Sequence, residues 1–197
     1  MSSRDDFLAR VRAAQPAARA LPEVPLFATP AGDRAERFIA GLAIYGGTCV
    51  RVASVEAAQA AIYDQFGAGV ALCSAVDAIP GTRALPADTL PASLHDVDVA
   101  VVAARFGVAE TGSVWLSEAE YRVNALGYLA QHLVVLLDEA ALVDGLQDAY
   151  RRDDFARARY AALVTGPSAT ADIEGVLVRG AQGVRSLTVM LIAAATA

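Results

Sequence analysis

This sequence predicts an α/β fold, a mostly parallel sheet covered on both faces by helices and joined by right-handed crossovers. Three observations carry that reading. Short strand-like runs alternate with helical spacing from Thr48 to Ile192. Apolar residues make up 55% of the 197-residue chain, enough to bury a sheet on two sides. The apolar run Ala161 to Val164 stops at Thr165-Gly166-Pro167-Ser168, as a buried strand ending in a tight turn does.

The elements follow in chain order. Ser3 can cap a first helix with Phe7, Leu8 and Val11 on one side, ended by Pro16. The Pro/Ala-rich stretch up to Pro30 cannot be regular helix. Residues 1–29 therefore form an N-terminal arm that could pack on another copy of the chain, and residues 30–197 form the α/β domain. Thr29-Pro30 suits an N-cap followed by N1, opening a helix with Phe38, Ile39 and Leu42 inward and Gly46-Gly47 at its end. Next come a strand at Thr48–Val52, a helix at Ser54–Phe66, a strand at Gly69–Cys73 and a loop from Ile79 to Pro91. Strands are expected at Val97–Ala103, Val114–Leu116 and Leu133–Leu137, with an ambiguous segment at Tyr121–Gln131 and a helix at Ala140–Tyr150. Past Thr170, Ile173, Val176 and Leu177 recur at i, i+3 and i+4, one face of a helix. Thr170 would cap that helix, Asp172 and Glu174 would suit its first turn, and Gly180 and Gly183 would lie beyond its end. Leu187–Ile192 closes a sheet of about six or seven strands.

Composition excludes several classes. Net charge is −6 and all 16 cations are arginine. The densest basic stretch, Arg151-Arg152 with Arg157 and Arg159, is interleaved with Asp153 and Asp154, which reads as a solvated face. That is no footprint for nucleic acid and a poor match for an acidic membrane surface. Cys49 and Cys73 lie far apart without a C-x-x-C, and two thiols cannot hold an iron–sulfur cluster unaided. They read as small buried hydrophobes. His95 and His132, without carboxylates at ligand spacing, argue against zinc. The start MSSRDDFLAR is unlike a signal peptide, and the run Leu187 to Ala197 is too short to span a bilayer. A soluble cytoplasmic protein is expected.

Two stretches could carry chemistry. In the first, Glu110 follows a buried strand, where a carboxylate is costly unless paired or wet. It can be read as a general base, a ligand contact or a turn carboxylate facing water. Thr111-Gly112-Ser113 adds two hydroxyls and a flexible amide that could grip a small anion. Arg122 is the candidate cation to pair with Glu110 or a ligand carboxylate, or else a surface arginine. In the second, Thr165, Gly166, Pro167, Ser168 and Thr170 turn backbone N–H groups outward, where α/β sheets hold ligands; the same residues could simply shape a turn and cap a helix. The stretch has neither the P-loop lysine nor G-x-G-x-x-G, and Ser168 lacks a nucleophile elbow. The two stretches are expected to line one polar hollow.

Both stretches resemble the LUD-domain family, the lactate-utilisation protein C group. Gly107 to Ser113, GVAETGS, looks like its G-[IV]-A-E-T-G-[TS] signature. Thr165 to Glu174, TGPSATADIE, looks like its S-G-P-S-x-T-[AS]-D-I-E signature. The likeness spans roughly Val52 to Ile192, and it departs where Gln182-Gly183-Val184 stands in place of the family's His-Gly-Pro. The resemblance implies a three-layer α/β/α fold related to the ribose-phosphate isomerase and CoA-transferase-like superfamily. It also implies a subunit that supports oxidation of L-lactate to pyruvate beside iron–sulfur partner proteins, which would carry the clusters, with no cofactor bound by this chain. Glu110 would then be the catalytic candidate. Thr111, Gly112, Ser113, Arg122, Thr165, Gly166, Pro167, Ser168, Thr170, Asp172 and Glu174 would line a cleft for a small carboxylate or other anion. A stand-alone isomerase- or transferase-like enzyme with Glu110 as nucleophile or base, and a metabolite-binding module without turnover, stay open, and with them the question of catalysis.

Overall fold

The computed structural model describes residues 3–193 apart from Leu21, Val24 and Thr29. Its centre is a five-stranded sheet built from β1 (Thr48–Val52), β2 (Leu72–Ser74), β3 (Val99–Ala103), β6 (His132–Asp138) and β11 (Ser186–Ile192). Their order is β1-β11-β6-β3-β2 and every pairing is parallel. Alternate residues of these strands enter two different cores. Ala100, Val102, Leu133, Val135, Val189 and Leu191 face one side, while Val99, Val101, Val134, Leu136 and Met190 face the other. Near-continuous apolar runs, here Val99–Ala103, Leu133–Leu137 and Val189–Ile192, are what burial on both faces requires.

Each face is covered by a helix whose start is written locally. On one side α3 (Val55–Phe66) presents Ala58 and Ile62, and its N-cap Ser54 accepts the Ala57 N–H at 3.2 Å. On the other, α2 (Arg34–Ile44) buries Phe38 and Leu42. Burying side chains of that size contributes roughly 1.5–3 kcal/mol each. The start of α2 differs from expectation: Asp33 caps it, accepting the Glu36 N–H at 2.8 Å, so the helix begins four residues after Pro30. Thr29 lies outside the described residues. The first helix, α1 (Ser3–Ala13), buries no residue.

A second sheet, which the sequence pattern does not reveal, shares the α2 side. It comprises β4 (Phe106–Val108), β5 (Ser113–Ser117), β7 (Leu142–Val143) and β8 (Ala161–Val164) in the order β7-β4-β5-β8. β5 is antiparallel to both β4 and β8. Val114 and Leu116 join the core beneath α2, whereas Phe106, Trp115 and Phe155 form a third, outer cluster. Three short helices decorate this half: α4 (Glu118–Tyr121), α5 (Leu126–Leu129) and α6 (Leu146–Tyr150), with α7 (Asp154–Arg157) after them. The helix expected over Ala140–Tyr150 is thus cut short, because Leu142 and Val143 pair with Gly107 and Val108 instead.

The largest correction falls after Ser168. No helix forms there; β9 (Ala169–Thr170) and β10 (Val178–Arg179) make an antiparallel hairpin. Glu174 and Gly175 both have positive φ, 54° and 72°, which stops a right-handed helix. Ile173, Val176 and Leu177, spaced as a helix face, are all more than half exposed.

Candidate functional site

Two structural facts locate the site. First, β8 is not a strand of the parallel sheet, so its terminal turn does not sit at the carboxyl edge where such sheets hold ligands. Second, β5 and β8 pair so that Val114 opposes Val164, which brings Ser113 beside Thr165. The Thr111 and Ser113 hydroxyls hydrogen-bond at 2.7 Å, and Ser113 bonds in turn to the Thr165 hydroxyl. A relay of three hydroxyls therefore joins the two motifs. Ser113 is buried, and this relay satisfies its oxygen.

The motif glycines serve close packing. Gly112 (φ 65°) lies so near α2 that a Cβ there would be 1.9 Å from the Leu42 nitrogen. A Cβ at Gly166 (φ 69°) would be 2.4 Å from the Tyr45 carbonyl oxygen. Both turns thus clasp the C-terminal half of α2, and backbone freedom is needed at each.

Beyond Thr165 opens a cleft of about 410 Å³. Residues 162–169 form one wall, Tyr121, Gly127 and Tyr128 the facing wall, and residues 182–184 close it. The last two segments stand immediately before β6 and β11, so the cleft lies at the amino edge of the parallel sheet. Ser168 ties the walls together: its N–H donates to the Val184 carbonyl at 3.0 Å, and its own carbonyl accepts the Gly180 N–H at 2.7 Å. Tyr121 is fully buried, and its phenol oxygen makes no hydrogen bond of good geometry, interacting only weakly with the Tyr128 hydroxyl. The Tyr128 and Tyr160 hydroxyls hydrogen-bond to each other at the rim. Burial pushes the Tyr128 phenol up to about 12 and the Tyr121 phenol higher still, so both stay protonated donors at neutral pH.

The other expected residues are dispersed. Glu110 does not line this cleft. Its carboxylate accepts the Leu146 N–H at 2.9 Å at the start of α6, beside a separate cavity of about 100 Å³ under Phe27 and Asp144. It is exposed, so water and one backbone donor resolve the cost foreseen for a carboxylate there. The single hollow expected from the two stretches is therefore two cavities on either side of the hydroxyl relay. Arg122 (φ 59°) pairs with Asp77 at 2.6 Å rather than with Glu110. Thr170 and Asp172 bond to each other in the hairpin, with the Thr170 hydroxyl donating at 2.9 Å, and Glu174 is exposed at its tip.

Sequence reasoning missed Tyr121 and Tyr128. Their only sequence signal is a seven-residue spacing that would stack them on one helix face, and the break at Arg122 hides it. His132 sits at the same sheet edge, 2.8 Å from the Ser186 hydroxyl and against the Phe66 ring. Burial, then Arg185, lowers its pKa, with Asp98 opposing. Among the described residues no group of three or more His, Cys, Asp or Glu side chains could hold a metal ion. Among the described residues no helix is long and apolar enough to cross a membrane.

Fold and site together define an α/β protein with a parallel core sheet, a clasped second sheet and an uncharged cleft at their junction. The family model of the LUD domain matches residues 81–192, which contain both motifs and every wall of the cleft. The chain belongs to the LUD-domain family. A solved structure of a DUF162 family protein from Deinococcus radiodurans superposes with a TM-score of 0.62 at 16% identity, covering 82% of this chain and 99% of that one. That likeness confirms the fold. No curated protein matches the sequence.

Proposed function

We propose that this chain is a LUD-domain subunit supporting the oxidation of L-lactate to pyruvate, with iron–sulfur partner proteins carrying the electrons and this chain contributing a small-molecule cleft. The observation behind the site is the meeting of the Thr165–Ala169 turn with residues 182–184 across a 410 Å³ cleft inside the family-matched region. The division of labour rests on the cysteines. Cys49 and Cys73 lie on β1 and β2, opposite edge strands of the sheet, and cannot share a cluster. The small carboxylate or other anion expected from the sequence would meet only neutral donors here, since Arg122 is engaged with Asp77.

Deletion of the gene should abolish growth on L-lactate as sole carbon source, and the wild-type copy should restore it. Unchanged growth of the deletion strain refutes the reading. A second reading, a metabolite-binding module without turnover, is favoured by one feature. The cleft walls carry no carboxylate, imidazole or guanidinium, and Gln182 stands where the family has histidine. If it holds, deletion changes the response to the metabolite without removing an oxidation step. For the stand-alone enzyme, the helix-capping geometry of Glu110 leaves one carboxylate oxygen already engaged.

A further inference from the structure

The chemistry of the cleft narrows what it can hold, taking it as the ligand site of the chain. It is large for a three-carbon acid: about 410 Å³ is the range in which pockets enclose ring-sized ligands. It carries no formal charge, since its side-chain polar groups are hydroxyls and one carboxamide. An anion entering it would give up water for neutral donors alone, an unfavourable exchange.

Two features supply directional contacts. The Tyr121 phenol is a fully buried donor that makes no hydrogen bond of good geometry, its interaction with the Tyr128 hydroxyl falling short of one, a state in which a well-placed acceptor is favoured. The second is backbone. The Glu118 N–H donates to the Tyr160 carbonyl at 3.3 Å, and bonded and non-bonded pairs alternate along an antiparallel ladder. Ala162 and Val164 therefore bond to β5, while Leu163 directs its N–H and C=O away from it. Because β8 is an edge strand, these groups of Leu163 face the cleft that it lines. Opposite stands the half-exposed Tyr128 ring, its hydroxyl held by Tyr160 and its centre 6.0 Å from that of the Tyr121 ring. An aromatic wall facing a strand edge suits a flat molecule with an amide-like rim.

We propose that this cleft binds an uncharged, planar ring compound with carbonyl acceptors, stacked on Tyr128 and hydrogen-bonded by the Tyr121 phenol and the Leu163 backbone. The proposal rests on the cleft being the chain's ligand site, and the test separates the two.

Lumiflavin is a flat, neutral, carbonyl-bearing fluorophore, and flavin mononucleotide is the same ring system on a ribityl phosphate chain, with riboflavin as the uncharged control for that chain. Titrating all three into the full-length protein should give saturable quenching by lumiflavin and at least about tenfold weaker binding of the mononucleotide than of riboflavin. Tyr121→Phe should weaken lumiflavin about tenfold, the effect of one lost buried hydrogen bond, with an unchanged melting curve checking the fold. Gln182→Arg, at an exposed rim position, should shift the preference toward the mononucleotide. Equal or tighter binding of the mononucleotide by the wild type overturns the uncharged class. So does saturable binding of L-lactate or inorganic phosphate that Ser168→Trp abolishes, although the cleft then stands as the ligand site. Lumiflavin binding indifferent to Tyr128→Ala and Ser168→Trp, or none at all, overturns the proposal, and with indifferent anion binding it removes the cleft as well.

Discussion

Gly112 and Gly175 have nearly the same backbone, φ 65° and 72°, but opposite surroundings. A Cβ at Gly175 meets nothing within 4 Å, whereas one at Gly112 would sit 1.9 Å from Leu42 N and 2.4 Å from Leu42 Cα. Gly175→Ala isolates the cost of a left-handed L-residue, about 1 kcal/mol after the gain from a stiffer unfolded chain. Gly112→Ala adds overpacking against a helix backbone that cannot rotate away, typically another 1–3 kcal/mol. We therefore expect a loss of about 2–4 kcal/mol for Gly112→Ala and about 1 kcal/mol for Gly175→Ala, measured by urea unfolding with Trp115 fluorescence as the probe. Equal losses in the two variants would refute the reasoning and return Gly112 to the status of a ligand contact.

Three further expectations concern charges. Asp144 accepts from Arg34 at 2.8 and 3.0 Å and from Arg37 at 2.5 Å, so Asp144→Ala should cost about 1–2 kcal/mol, part of the pair being solvent-screened. The Arg34 hydrogen bond, followed by that of Arg37, holds the Asp144 carboxyl below its usual value against the opposing effect of burial. Its contribution is thus complete above about pH 4 and lost as pH falls through the depressed value, so the gap between wild type and variant should close only in acid. For His132 the depressed pKa means stability is full above about pH 6.5 and declines as pH falls and the unfolded chain takes up the proton first. His132→Asn should flatten the stability–pH slope just below pH 6.5, and an unchanged slope would show that the ring is not shielded. Glu110→Gln should leave cleft binding unaltered and cost at most about 1 kcal/mol through a weaker start to α6, as read by thermal melting. Loss of ligand binding in that variant would put Glu110 back in the site.

How much of this was legible follows the range of the forces. The Ser54 cap and the apolar spacing of α3 act within a few residues, and that helix appears where the sequence puts it. The strands β3, β6 and β11 are likewise written in the apolar runs Val99–Ala103, Leu133–Leu137 and Val189–Ile192, because a run with no polar face can only be buried on both sides. Gly112 and Gly166 marked turns correctly, but what they approach is a helix dozens of residues earlier in the chain. The Ile173, Val176 and Leu177 spacing misled because three apolar residues on one turn cannot hold a helix without a surface to bury them.

The sequence by itself determined the class of fold, the parallel core and the family, since these depend on local periodicity and on two contiguous motifs. Only the tertiary structure decided that β8 pairs with β5 outside the parallel sheet, that Glu110 and Ser168 face different cavities, and that two tyrosines line the cleft. Strand partnership and cavity walls are set by which distant surfaces exclude water together, and no short window of residues encodes that choice.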